Sequence, residues 1–245
     1  MKVIAGDDEI GIHERALVVT AHPDDVDFGA AGTVARLVGA GTEVHYLVLT
    51  DGDAGGFDPA VDRSLIPGIR RAEQISAASK VGVKDVEFLG YPDGRLEVTF
   101  ALRRQIARKI REVRPSLVIS NSPERDLTRI FASHPDHLAS GEATISAVYP
   151  DARNPFAYPE LLADLGLEPW TVTEMWLMAS PQSDLFVDVT DHLETKLAAI
   201  RAHASQLPDF ESTSVRVAGM LSGMALKAGL PEGSKAEGFQ AVSTA

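Results

Sequence analysis

Residues 15–25 read RALVVTAHPDD. The first seven, Arg15 to Ala21, form a short apolar run with adjacent valines, the pattern of a strand buried on both faces. His22-Pro23-Asp24-Asp25 follows at once, so imidazole and carboxylate groups sit where that strand ends. The same alternation continues outward. Gly29 to Gly39 has small and apolar residues at helical spacing, and Glu43 to Thr50 (EVHYLVLT) is a second strand that empties into the glycine-rich loop Asp51 to Gly56. Arg70 to Lys80 reads as a helix, Asp85 to Gly90 as a strand, and Ser116 to Asn121 as another strand. Between the last two, Thr99 to Val113 carries Leu102, Ile106, Ile110 and Val113 on one helical face. A further helix is expected to start near His134.

Strand, helix, strand, helix predicts an α/β fold: a Rossmann-like, mostly parallel sheet with helices on both faces. Tyr149 to Pro169 holds four prolines and is read as an irregular insert, near 149–170. Glu174 to Ser180 and Leu185 to Thr190 are strands in this reading, with helices over Asp191 to Ser205 and Val215 to Ala228. The tail from Glu232 is expected to be mobile. No internal repeat or composition break divides residues 1–245, which are read as one domain.

Composition narrows the function classes. The 245 residues are 44% hydrophobic and 24% charged, as in an ordinary soluble globular chain. Acidic residues outnumber basic ones 35 to 23, a net charge of −12 that disfavours nucleic acid or an anionic membrane as the main partner. No apolar run approaches a membrane span, and the N-terminal stretch is acidic where a signal peptide is basic, so a cytoplasmic location is expected. There are no cysteines, so any metal site must use His, Asp or Glu.

Parallel sheets carry functional groups beyond the carboxyl ends of their strands. His22-Pro23-Asp24-Asp25 lies there after the first strand, and the loop after the 116–121 strand leads to His134-Pro135-Asp136-His137. Catalytic zinc usually takes three protein ligands, keeps one position open, and lowers the pKa of a water to about 7. Two imidazoles and a carboxylate are a standard set; His22, Asp25 and His137 would supply one, leaving Asp24, His134 and Asp136 over. Each half alone also fits a helix N-cap or a solvated loop, and Pro135 fits a first helical turn. The pairing after two separate strands is what favours a metal.

With AHPDD at 21–25 and HPDH at 134–137, the chain resembles the LmbE/PIG-L family of zinc-dependent N-deacetylases. DFGAAGTVARL, LTDGDAGG, IRRAEQ, FLGYPDG and KLAAIRAHASQ extend the resemblance from about Arg15 to Gln206. It implies a Rossmann-like fold and substrates such as N-acetylglucosamine conjugates, among them intermediates of mycothiol, bacillithiol and glycosylphosphatidylinositol synthesis. It assigns His22, Asp25 and His137 to one Zn²⁺, Asp24 to the general base, and His134 to the imidazolium that stabilises the oxyanion or assists the leaving amine. Asp136 would orient His134 and favour its charged form. Two departures stand out. Val26 replaces a Glu common after the first motif, so any supporting role of that Glu is absent or moves to Asp27, and Ala132 replaces a Tyr found in mycothiol-pathway members.

Other residues have two readings. Arg70 is a candidate substrate contact, because the family often has Arg there, or part of a solvated helix face. Asp93, in a P-D-G turn after the third strand, is a second candidate contact. Asp51 and Asp53 are read as loop-shaping. His203 is read as a helix-surface or packing residue, His45 as structural, Trp176 as core, and Trp170 is left open between core and sugar stacking.

The expected partner is a small, sugar-like N-acyl compound, and self-association is open. Competing functions are an amidase of larger thiol or sugar conjugates, a nucleotide-binding protein, and a non-catalytic sugar-binding module. A dinucleotide site wants G-x-G-x-x-G after the first strand, where this chain places carboxylates that repel phosphate.

Overall fold

A computed structural model describes residues 1–6, 10 and 13–244. Its strands are β1 (Lys2–Ile4), β2 (Arg15–Thr20), β3 (Glu43–Thr50), β4 (Asp85–Tyr91), β5 (Leu117–Asn121), β6 (Glu174–Met178), β7 (Leu185–Asp188) and β8 (Ala236–Ser243). They form one sheet in the order β1-β7-β8-β6-β5-β2-β3-β4. Every pairing is parallel except those of β8, which runs antiparallel to both β6 and β7. The expected fold class is the one observed.

The central strands read as unbroken apolar runs because both faces are covered. Ala16 and Val18 of β2 face one core, and Leu17 and Val19 face the other. The first core is closed by α1 (Asp25–Gly29), α2 (Ala31–Gly39), α3 (Ile66–Lys80), α7 (Leu193–Arg201) and α8 (Phe210–Lys227). The second is closed by α4 (Phe100–Val113) and α5 (Pro135–Ser146), with Leu102, Ile106 and Ile110 of α4 packed inward. Each such buried side chain contributes about 1.5–3 kcal/mol. Trp176 is buried in the first core, as its strand position implied.

Several boundaries differ from the sequence reading. α3 begins at Ile66 with Pro67 in its first turn, ahead of the periodic stretch. α8 begins at Phe210 because the Asp209 side chain accepts from Ser212 N–H at 3.2 Å, an N-cap upstream of Val215. The proline-rich insert contains a short helix, α6 (Pro159–Ala163). The larger correction concerns the tail expected to be mobile beyond Glu232. Residues 236–243 are β8, inside the sheet, with Phe239 fully buried. The slot between β6 and β7 supplies two sets of backbone partners, which outweigh the weak strand propensity of AEGFQAVS. Glu237 adds a side-chain anchor: its carboxylate accepts from Gly32 and Thr33 N–H at the start of α2 and from Lys196 Nζ at 2.6 Å.

Two consecutive strands of this order, β2 and β5, lie side by side with their helical connections diverging, so a crevice opens at their carboxyl ends. Among the described residues no helix is long and apolar enough to cross a membrane. If β8 belongs to the sheet, Phe239→Ala should cost about 3–5 kcal/mol in denaturant unfolding. Deleting residues 236–245 should abolish the cooperative transition, and a truncated chain that melts like the full one would refute the placement.

Candidate active site

The crevice is held closed at its base by Asn121, whose Oδ1 accepts from Ala21 N–H at 3.2 Å, tying the exits of β2 and β5 together. α5 approaches the same point closely. A Cβ on Gly141 would lie 2.5 Å from the Asn121 carbonyl oxygen, so only glycine lets the helix reach this close. At its start, His134 is the N-cap and Pro135 occupies the first turn. The β2 exit is shaped by Asp25, whose Oδ2 accepts from His22 N–H at 2.9 Å.

The two motifs meet. His22 Nδ1 lies 3.2 Å from His137 Nε2, His137 Nε2 lies 2.9 Å from Asp25 Oδ1, and Asp25 Oδ2 lies 3.6 Å from His22 Nδ1. Atoms about 2.0–2.1 Å from one tetrahedral zinc lie about 3.3 Å from each other, so these separations fit a single ion. The far side of each ring is also engaged. His22 Nε2 lies 3.2 Å from Asp136 Oδ2 and 3.1 Å from Asp93 Oδ1, and His137 Nδ1 lies 3.3 Å from the Ala132 carbonyl oxygen. A carboxylate or carbonyl behind an imidazole is the usual support for a metal-binding histidine. His22, Asp93 and His134 form a second, overlapping donor group. There, however, His22 Nε2 is already committed as a donor between two carboxylates.

Charge balance points the same way. Burial disfavours a charged His22, but hydrogen bonds to Asp136, Asp25 and Asp93 outweigh it and push its pKa up to about 12. Burial likewise opposes the charge on Asp25, yet His137 and His22 hold its carboxyl well below the usual range. Carboxylates at this density call for positive charge, and the shared donors are of the kind a divalent cation takes.

Asp24 lies beside this group. Its Oδ2 accepts from Arg70 Nη2 at 3.0 Å, while burial pushes its pKa up to about 6 despite the lowering effect of Arg70. Arg70 is not on a solvated face. It is 3% exposed, and it also donates to the carbonyl oxygens of Gly52 and Pro23. Gly52 makes room for it: its φ is +61° and a Cβ there would lie 2.4 Å from Arg70 Nη1. Arg70 and Asp93 both line the pocket, but the guanidinium is engaged with Asp24 and the loop, and Asp93 with His22.

Asp136 differs from expectation. Its carboxylate accepts from Gly94 N–H at 2.7 Å and Leu96 N–H at 3.1 Å and faces His22, leaving only its backbone N–H to donate to His134 Nδ1 at 3.2 Å. It is fully buried behind His22 and does not orient His134 through its carboxylate. The lone pair at Nδ1 assigns the His134 proton to Nε2. Burial and the nearby His22 charge push the His134 pKa down, away from the imidazolium that the resemblance implied.

The pocket has a volume of about 360 Å³, and Ala54, Gly55 and Phe131 complete its lining. Phe131 was missed by the sequence reading; Trp170, the aromatic left open, instead donates to the Pro115 carbonyl oxygen at 2.8 Å and does not line it. His203, read as surface or packing, is fully buried with Nε2 2.8 Å from Asp27 Oδ2. The signal for it was Asp27 itself, the acidic residue one position beyond Val26. His45 pairs with Asp85 at 2.8 Å, away from the pocket, and Asp53 Oδ1 accepts from Asp93 N–H at 2.9 Å.

A family model described as GlcNAc-PI de-N-acetylase (PIG-L) matches residues 17–148. Diacetylchitobiose deacetylase of Thermococcus kodakarensis is 33% identical over 196 residues, covering 80% of this chain and 71% of that protein. A probable N-acetyl-alpha-D-glucosaminyl L-malate deacetylase 2 of Bacillus anthracis is 33% identical over 202 residues, covering 78% and 81%. The solved N,N'-diacetylchitobiose deacetylase of Pyrococcus horikoshii superposes with a TM-score of 0.86 at 30% identity, over 94% of this chain and 84% of that one.

The packing of Arg70 against the glycine loop can be tested without a substrate. Gly52→Ala should lower stability by about 1–3 kcal/mol, through a disfavoured φ and overpacking, as read from the denaturant midpoint. An unchanged midpoint would show that the loop does not depend on this contact.

Proposed function

The chain belongs to the PIG-L family, and from that membership and the donor geometry we propose that it is a zinc-dependent N-deacetylase of N-acetylglucosamine-type compounds. The observation that carries the reading is the convergence of His22 Nδ1, Asp25 and His137 Nε2 beside the Asp24 carboxylate. Those three residues would hold the ion. When bound, it lowers the pKa of a water and polarises the amide carbonyl; N/O donor sets of this kind also accept other divalent metals.

The chain's own groups divide the remaining work. Asp24 takes the proton from the attacking water, and Arg70 fixes the carboxylate that does so. His134 faces the same pocket as a neutral ring with its proton on Nε2, and donates a hydrogen bond to the oxygen on which charge develops. A neutral donor needs no counter-charge, and the proton that Asp24 took from the water passes on to the departing amine, which leaves Asp24 ionised again. Asp136 keeps the His22 ring oriented from behind. Asp93 shares that task.

The substrate class is supported by the relatives, which are named for N-acetyl sugars. Phe131, 71% exposed, offers an aromatic face to a sugar ring. Its neighbours Leu127 and Ile130 are 79% and 58% exposed, which favours a substrate extended beyond one sugar over a bare monosaccharide.

Acetate release from N-acetylglucosamine and N,N'-diacetylchitobiose, measured together with zinc content, tests the proposal. About one zinc per chain is expected, lost in His22→Ala and His137→Ala. Asp24→Ala should keep the metal and lose about 10²–10⁴-fold in kcat; full turnover in that variant would remove Asp24 as the base. Asp136→Asn should weaken zinc about 10–100-fold in chelator competition, because His22 loses its supporting carboxylate. Unaltered zinc affinity would leave Asp136 without that role.

A further inference from the structure

Asp24 has φ 100° and ψ −26°, a left-handed backbone that non-glycine residues avoid. Something must hold it there. Its N–H donates to Gln74 Oε1 at 2.7 Å, Gln74 Nε2 donates to Asp27 Oδ2 at 2.9 Å, and the same oxygen lies 2.8 Å from His203 Nε2. Gln74, Asp27 and His203 are each 0% exposed, and none lines the pocket. The chain of contacts is directional. The Asp24 N–H requires an acceptor and the Asp27 carboxylate requires a donor, and a glutamine amide is the one neutral side chain of this length that offers both.

Position on the helix adds a second constraint. Arg70 and Gln74 are one turn apart on the buried face of α3. From that face, Arg70 grips the Asp24 carboxylate and Gln74 grips the Asp24 backbone. α3 therefore fixes both ends of the residue.

We propose that Gln74, oriented by Asp27 and His203, is a positioning residue that holds Asp24 in its strained backbone and so sets where its carboxylate stands in the pocket. This rests on the reading of Asp24 as the base. Gln74 touches neither metal donors nor substrate, so its effect belongs in kcat, with KM and zinc content left unchanged.

A double-mutant cycle on the zinc-loaded enzyme separates positioning from general stability. Gln74→Met keeps the length and removes both hydrogen bonds; it should lower kcat about 10–100-fold on N,N'-diacetylchitobiose. In the Asp24→Ala background the same substitution should have little further effect on the residual turnover. An equal loss in both backgrounds, or wild-type kcat in Gln74→Met while Asp24→Ala is inactive, would overturn the proposal and leave the base reading intact. Full turnover in Asp24→Ala would remove the base reading itself, and the proposal with it. Should Gln74→Met fail to fold, the far end serves instead. His203→Ala should lose kcat, and His203→Gln, whose amide can donate to Asp27, should recover most of it; equal losses in the two would count against the relay.

Discussion

Asp25, Asp93 and Asp136 each bring an oxygen within 3.6 Å of a ring nitrogen of His22, and none of the three side chains is more than 9% exposed. Removing a carboxylate from water costs several kcal/mol after relaxation, and crowding three around one ring multiplies the difficulty. The surrounding structure answers this piece by piece. Gly94 and Leu96 N–H groups neutralise part of Asp136, the His22 N–H serves Asp25, and Arg70 comes in beside Asp93 and Asp24. The donors of His22, Asp25 and His137 converge at the centre of this cluster. Carboxylates and imidazoles at that spacing suit a divalent cation, and the loops after β2 and β5 bring them together.

The sheet explains why these groups can meet. β2 and β5 are neighbours at which the winding reverses, so the loops that leave them border one crevice although more than a hundred positions separate them in the chain. A nucleotide-binding relative of this topology would place glycines and backbone N–H groups there. Here the first loop carries His-Pro-Asp-Asp, whose charge excludes a pyrophosphate and suits a metal. Topology sets the location of chemistry, and the loop sequence sets its kind.

What could be read from the sequence follows from how local each determinant is. The apolar run of β2 and the two His/Asp motifs are local, and their reading matches the observed strands and the observed meeting of the motifs. The partner of Asp136 is not local. HPDH suggests a pair with His134, whereas the loop after β4 brings two N–H groups and His22 to the carboxylate instead. The same holds for β8, whose residues pair only because β6 and β7 leave a slot, and for His203, whose partner lies 176 positions away. Ala132 shows the limit from the other side. Its side chain was the noted departure from mycothiol-pathway members, but in this fold its carbonyl oxygen supports His137. A backbone contact of this sort survives a side-chain change.

α3 joins the core to the crevice. Its buried residues Arg70, Gln74, Ala77 and Ala78 make one stripe, with the alanines packed into the core and the two polar residues reaching the crevice. The alanines hold the helix close to the sheet, and that closeness lets short hydrogen bonds from positions 70 and 74 reach the β2 loop. Arg70 has space only because Gly52 and Gly55 lack side chains in its path. Packing, loop composition and backbone strain at Asp24 therefore constrain one another. A change at any of them would shift the placement of a single carboxylate, so a helix outside the two His/Asp motifs reaches into the chemistry proposed for them.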